Sequence, residues 1–375
     1  MISIKSPIID LQDAFLVLQG QRFHYLWLRD HCLCPKCYDP SSQQKMSNVE
    51  YLTPDSKPFS VQLQNNQLLI NWDELSGHQS IFPISWLLDH TYDPTPKPEL
   101  SNQRITWDQK WLEARKIEWP NYCADNQKTW RDLLNKLGFV VLQNVPMENL
   151  ESLLLSIGPI YELAKFGNFS TVKPVPNSSN LASDLSMSSA GHGLSPHTDL
   201  TYLNAPPVVQ IQYCVENNVS GGDSIIVDGL RLVEDFKKVH PDYFQVLTNT
   251  PVKFKQLIVR WNYLFCRTRP IIELNNQNEV TAIYFSHKNI DIDLPFEKTK
   301  IFYEAFYTFL KYLNNPDYQT YYRLQKGDCL FIDNSQLLHG RKKFDSRSGN
   351  RHLEVAFIEW DYFHGLKNFQ SASIK

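Results

Sequence analysis

Three cysteines stand within six residues, in Cys32-Leu33-Cys34-Pro35-Lys36-Cys37, and no other stretch limits its local fold so tightly. Thiolates this close can share one ion without closing a long loop, and tetrahedral Zn²⁺ is the usual occupant of three sulfurs and one imidazole. Pro35 suits a tight turn that presents the sulfurs, rather than three thiols packed in a core. The fourth donor is not local. His24, His31, His78 and His90 are the candidates. His31 adjoins Cys32, which makes joint ligation awkward, whereas His78 follows a strand and the turn Glu74–Gly77. A four-donor site leaves no position for water, so it is structural rather than catalytic. Seven cysteines, an odd number and so crowded, argue against a secreted disulfide scaffold.

A chain of 375 residues exceeds the usual single-core range, so a large domain with a small one is expected. From Ile8 to about His90 the pattern is short alternating runs, with Phe23–Leu28 and Gln67–Trp72 read as strands. Residues 1–95 are expected to form a small β-rich zinc-binding domain. Residues 96–129 read as a linker with a short helix near Trp107–Lys116, its tryptophans serving as anchors where it wraps the larger domain. Residues 130–375 read as mainly β with helical insertions. Helices are expected at Arg131–Leu137, Glu148–Ile157, Leu230–Val239 and Lys298–Leu313, and a buried strand at Gly138–Leu142. Many short strands with few helices predict a jelly roll. The serine-rich Ser178–Ser189 reads as a mobile loop.

The net charge of −3 comes without a basic stripe, so nucleic-acid binding has no electrostatic support. No stretch approaches the roughly 20 apolar residues that span a bilayer, and Met1–Leu11 has no basic start followed by an apolar run. A cytoplasmic protein without a membrane partner is expected.

His197-Thr198-Asp199 carries an imidazole and a carboxylate two residues apart. On an extended strand both point the same way and can share a metal. His339 follows the buried-looking run Cys329–Ile332 and is the expected third donor from a distant strand. Two histidines and one carboxylate on one face leave three positions open, the pattern of non-haem Fe(II) oxygenases. Arg351 lies twelve residues after His339. On a neighbouring antiparallel strand its guanidinium would reach the same barrel and meet a carboxylate bidentately. Ser224, after Gly221-Gly222-Asp223, adds a hydroxyl.

With these motifs the chain resembles the gamma-butyrobetaine hydroxylase-like oxygenases of the taurine dioxygenase-like superfamily. Trp27-Leu28-Arg29-Asp30-His31-Cys32 through Cys37 looks like the family's zinc-domain entry, and His78 stands where its fourth zinc ligand is expected. His197-Thr198-Asp199, Gly221–Gly229, Asp333-Asn334, His339-Gly340-Arg341, Arg351–Glu354 and Trp360-Asp361 follow the family order. The resemblance implies a double-stranded β-helix domain in which His197, Asp199 and His339 hold Fe(II). It also implies that Arg351, helped by Ser224, binds the distal carboxylate of 2-oxoglutarate, and that the protein is a homodimer. O₂ would enter once substrate has docked, with succinate released. Related halogenases lack the carboxylate, so Asp199 favours hydroxylation.

The family's betaine-hydroxylating members hold a quaternary ammonium among aromatic rings, because such a cation has no hydrogen-bond donors. Here Leu200 follows Asp199 in place of tyrosine, Phe357 stands where tyrosine is typical, and Ser170 where tryptophan is. Ser186, Ser188, Ser189 and His192 precede His197. The expected substrate is a small polar amine or amino-acid-like molecule, lined by Leu200, Tyr202, Ser189, His192 and Phe357. The alternative is a gamma-butyrobetaine or trimethyllysine hydroxylase whose cage is rebuilt from Phe166, Tyr202 and Trp360. Two other classes are a metal-dependent hydrolase with the same triad and a catalytically silent binding protein.

Overall fold

The computed structural model describes residues 9–46, 53–74, 77–93, 104–123, 128–162, 167–173 and 191–371. Ser178–Ser189 and Phe166 lie outside these. The chain divides into two compact units, Met1–Ser101 and Asn102–Lys375.

The smaller unit is built from two antiparallel three-stranded meanders. One runs Ile9–Leu11, Phe15–Leu18 and Gln21–His24, the other Pro58–Gln64, Gln67–Trp72 and Gln79–Pro83. In Gln67–Trp72 the alternation sends Leu68, Ile70 and Trp72 inward. They join Leu16, Leu18, Phe23 and Phe82 in one core. Each meander ends in a short helix, Tyr25–Asp30 and Ile84–Asp89. The first corrects the expected strand Phe23–Leu28, which stops at His24. Tyr25, Leu28 and Arg29 bury together on one helical face, and a six-residue run is too short to separate a period of 2 from one of 3.6.

The larger unit is a pair of antiparallel sheets. One has the order Ser170–Val172, Arg351–Ile358, Val209–Asn217, Cys329–Asp333, Phe139–Leu142. The other has the order Leu194–His197, Leu337–Arg341, Ser224–Asp228, Gln319–Tyr322. This is the double-stranded β-helix. Strand alternation sorts the side chains into three layers. Ile226, Leu330, Ile332, Leu337 and Leu353 fill the space between the sheets. Val140, Ile211, Phe331 and Ile358 point outward on the first sheet, under Leu134, Leu150 and Leu154 from the helices Lys128–Leu137 and Leu150–Leu155. Ile225, Val227 and Leu338 point outward on the second, under Gly229–Val239, Pro241–Asn249 and Phe296–Leu313. The last helix buries Phe302, Ala305, Phe306, Phe309 and Leu313, a stripe at helical spacing.

Trp107 is fully buried in this unit, its indole N–H donating to the Leu137 carbonyl at 2.8 Å and its ring 5.1 Å from Phe139. The stretch from Arg104 is therefore packed against the sheets, with a helix at Gln109–Arg115. No described helix is long and apolar enough to cross a membrane.

Candidate metal centres

In the smaller unit the helix Tyr25–Asp30 ends at His31 and the chain turns through Cys34, whose carbonyl accepts from the Cys37 and Tyr38 N–H groups. That turn sets Cys32, Cys34 and Cys37 around one point. His78 enters just before Gln79–Pro83, after the Gly77 N–H has closed a turn on the Glu74 carbonyl. Its Nε2 lies 3.2 Å from Cys32 Sγ, 3.8 Å from Cys34 Sγ and 3.6 Å from Cys37 Sγ. Tetrahedral Zn–S and Zn–N bonds of about 2.3 and 2.1 Å set such donors about 3.5 Å apart, so the cluster fits one zinc ion.

The other histidines have different partners. His31 stacks on Trp27 and His90 on Trp86, each with Nδ1 against the carbonyl four residues earlier, and His24 meets the Tyr92 hydroxyl. Burial pushes the Cys32 thiol up to about 12 and raises Cys37 as well, whereas at Cys34 burial is outweighed by hydrogen bonds from Lys36 and the neighbouring cysteines, which hold its thiol below the usual value. Arg29, buried and paired with both carboxylate oxygens of Glu74, points Nη1 at Cys37 Sγ from 3.5 Å. It supplies positive charge beside the thiolates, a role that the sequence reading did not assign.

In the larger unit His197 and His339 are a cross-strand pair, their ring centroids 4.6 Å apart. Gly340 allows this: a Cβ there would fall 2.6 Å from the Leu194 carbonyl oxygen. Asp199 does not sit on the strand, which ends at His197. Asn334 holds it instead, accepting from the Asp199 N–H at 2.8 Å and donating to its carbonyl at 3.0 Å. One carboxylate oxygen then lies 3.4 Å from His197 Nε2 and the other 3.4 Å from His339 Nε2. Two bonds of about 2.1 Å to one ion at 90–110° need donors about 3.0–3.4 Å apart, so these three fit one metal. The next residue, Leu200, is buried with φ +59°, a strained conformation for a leucine beside a metal ligand.

The surroundings prepare the donors. His197 Nδ1 meets the Ser195 carbonyl at 2.9 Å, which leaves Nε2 as the lone-pair atom. Burial, then Lys288, pushes His197 down to about 4, so its imidazole is neutral. Burial pushes Asp199 up, but His339, His197 and Lys288 together hold it well below the usual carboxylate range. Gln210 donates to Asp199 at 2.5 Å and approaches His339 Nε2 at 3.2 Å, its amide oriented by Gln212. Gln210 and Lys288 were not anticipated. Gln210 and Gln212, alternating within the apolar strand Val209–Asn217, are a readable sign of polar residues facing inward; Lys288 carries no such sign.

Arg351 lies on the sheet facing that of His339, not on a neighbouring strand. Its guanidinium is buried, its Nε has no hydrogen-bond partner among the described residues, and burial pushes it down to about 10. Gly222, at φ +84°, lies beside it, where a Cβ would fall 3.6 Å from Arg351 Nε and 3.2 Å from Phe344 Cβ. Ser224 is buried opposite Arg341, whose guanidinium packs over Phe344.

Phe357 is buried and pairs with Gln210 across the ladder. Tyr202 is half-buried, its ring 5.9 Å from Phe265, and Ser170 pairs with Val355 at the sheet edge. His192 is exposed, its carbonyl accepting from Arg341 at 2.7 Å. Ser186, Ser188 and Ser189 lie outside the described residues.

Residues 104–357 match the family model for taurine catabolism dioxygenase TauD, TfdA family, and residues 15–88 match gamma-butyrobetaine hydroxylase-like, N-terminal. The chain is 28% identical over 348 residues to gamma-butyrobetaine dioxygenase of Homo sapiens, covering 90% of this chain and 88% of that one. It is 27% identical over 375 residues to trimethyllysine dioxygenase of Meyerozyma guilliermondii, covering 91% and 88%. The solved structure of asparagine oxygenase in complex with Fe(II), 2S,3S-3-hydroxyasparagine and succinate shares the fold, with TM-score 0.50 at 16% identity over 74% of this chain and 89% of that chain. With a fitted His-Asp-His triad in a double-stranded β-helix, the chain belongs to the TauD, TfdA family and is an iron- and 2-oxoglutarate-dependent dioxygenase.

Proposed function

We propose that the enzyme hydroxylates a small polar amine or amino-acid-like molecule, with His197, Asp199 and His339 holding Fe(II) and Arg351, helped by Ser224, holding the distal carboxylate of 2-oxoglutarate. The observation that carries this is Arg351, buried, on the same strand face as Leu353 between the sheets, with an Nε that has no hydrogen-bond partner among the described residues. A guanidinium kept dry without a carboxylate is costly, and a dicarboxylate cosubstrate supplies the missing partner. Bound iron, with 2-oxoglutarate, supplies O₂ activation that yields succinate, CO₂ and an oxidant for a substrate C–H bond. The chain's own groups orient and shield. Ser195 fixes the tautomer of His197, Gln210 and Asn334 fix Asp199, and Leu200 and Phe357 keep water from the reacting carbon.

The amine reading draws on the relatives, which are named for gamma-butyrobetaine and trimethyllysine. Leu200 and Phe357 favour a substrate with its own hydrogen-bond donors over a quaternary ammonium. Succinate release with Fe(II) and 2-oxoglutarate, measured across primary amines, amino acids and both betaine-type compounds, tests this. Stimulation by amines or amino acids is expected. Efficient turnover of a betaine-type compound would favour the second reading, for which the Tyr202–Phe265 ring pair is the start of a cage. A cytoplasmic homodimer belongs to the same proposal, and fractionation and sedimentation velocity test it.

A further inference from the structure

The three-stranded sheet of Tyr263–Arg269, Val252–Ile258 and Ile290–Asp291 has a bare edge. Among the described strands Tyr263–Arg269 pairs on one side only, in an unbroken register against Val252–Ile258. The Lys255 N–H donates to the Asn289 carbonyl at 2.8 Å, and the Asn289 amide donates to the Lys255 carbonyl at 3.3 Å, so the Lys255 backbone is turned away from Tyr263–Arg269. Antiparallel ladders alternate, so its cross-strand partner Cys266 turns its own N–H and C=O to the outer edge, as do Leu264 and Thr268 two residues to either side. Native sheets commonly blunt such an edge with a bulge, a proline or a lysine. This strand has none of the three. The lysines of the sheet, Lys253 and Lys255, stand on the central strand and are paired with Asp293 and Asp291. Leu264 is 61% exposed and its cross-strand partner Leu257 58%, an apolar pair beside the edge.

A second copy of the same strand completes this row. Laid antiparallel about a two-fold axis at Cys266, it sets Leu264 against the partner's Thr268, Cys266 against the partner's Cys266, and Thr268 against the partner's Leu264. Every outward N–H and C=O of these residues then has a partner. A register moved by two residues would carry Thr268 past the end of the strand, opposite Asn262, which is left-handed at φ +56°. The centred register also lays the apolar half of the strand on its polar half, with the partner's Arg267 across from the Phe265 ring, a favourable place for a cation. Such a pairing closes on itself, and the joined sheet ends on each side at Ile290–Asp291, an edge of two residues. Phe265 lies 5.9 Å from Tyr202, and Arg269 donates to the Leu203 and Asn204 carbonyls at 2.6 and 3.0 Å, so the same strand braces the stretch that follows Asp199.

We infer that the Tyr263–Arg269 edge is the docking surface for a second copy of this chain, in an antiparallel pair with Cys266 opposite the partner's Cys266. This rests on the proposed homodimer and gives it a surface and a register. The test is sedimentation velocity on the full, zinc-loaded chain. Cys266 is exposed and its backbone groups face away from the sheet, so substitutions there spare the fold of the single chain, which the thermal transitions verify. Residues directly opposed across such a pair stand about 5.5 Å apart, where like charges repel. Cys266→Lys and Cys266→Glu should each raise the dimer dissociation constant about tenfold or more, the scale of two unit charges this close near a protein surface. An equimolar mixture of the two variants should dimerise again, because the axis then sets an ammonium against a carboxylate. On the unmodified chain, a short bismethanethiosulfonate reagent should join two copies. Cys266→Ser should abolish that product and Cys123→Ser, at the other exposed thiol, should retain it. Wild-type affinity in either charged variant, a mixture that stays monomeric, or no link through Cys266 would overturn the surface and leave the homodimer reading standing. A monomeric wild-type chain would bring down both.

Discussion

In the smaller unit three of four metal donors come from six consecutive residues, whereas in the larger unit the third donor lies 140 residues beyond Asp199. The local cluster needs little more than a turn and one histidine, and its small core leaves the metal as a main source of stability. In the distant set the two histidines are positioned by a backbone ladder, His197 pairing with His339 across strands, and Asp199 by the Asn334 side chain. A closed Cys₃His set holds a fold together, while an open His-Asp-His set is held by a fold and keeps positions for chemistry.

The largest expected effect separates the two sites by activity. Asp199→Ala should bring succinate release to the level of the metal-free reaction, with the thermal transitions of both units nearly unmoved. A collapse of the larger unit would break the claim that the sheets position the donors. Zinc removal should do the reverse. Apparent zinc binding of about 10–16 kcal/mol in zinc-finger peptides is comparable to the whole stability of a domain. Chelation or Cys34→Ser should therefore abolish the calorimetric transition of the smaller unit and leave Fe(II) binding by the larger one intact. Survival of both transitions would show the two sites to be alike.

Arg351→Ala probes the cosubstrate half of the open site. Loss of a buried charged partner costs about 2–5 kcal/mol, which corresponds to a rise of roughly 30-fold or more in the 2-oxoglutarate needed for half-maximal rate. Fe(II) affinity should not follow, and a titration of each separates them. The smallest effects belong to groups that touch donors without being donors. Gln210→Ala should weaken Fe(II) binding about tenfold, within the range for such supporting contacts. Arg29→Ala should weaken zinc by a similar factor, because Arg29 faces Cys37 and is held by Glu74. Metal competition titrations measure both. A much larger loss for Arg29 would mean that the Arg29–Glu74 pair, rather than zinc, anchors the smaller unit.

Much of this molecule is legible in the residues alone, where the determining interactions are short-ranged. The cysteine spacing, the H-x-D pair, the alternation of Gln67–Trp72 and the helical stripe of Phe296–Leu313 each express a local period or a local reach. The run Phe23–Leu28 was too short for its period to be read. Tertiary structure decided the rest. It chose His78 among four histidines, because only that one is delivered to the sulfurs by the second meander. It set Asp199 off the strand on Asn334, where a simple two-residue alternation would have kept it on the ladder. It brought Arg351 from the facing sheet, and it carried Gln210 and Lys288 to the triad. These choices depend on which strands pair and in what register, and the free energy that fixes register is spread over whole buried faces rather than carried by the residues that meet at the site.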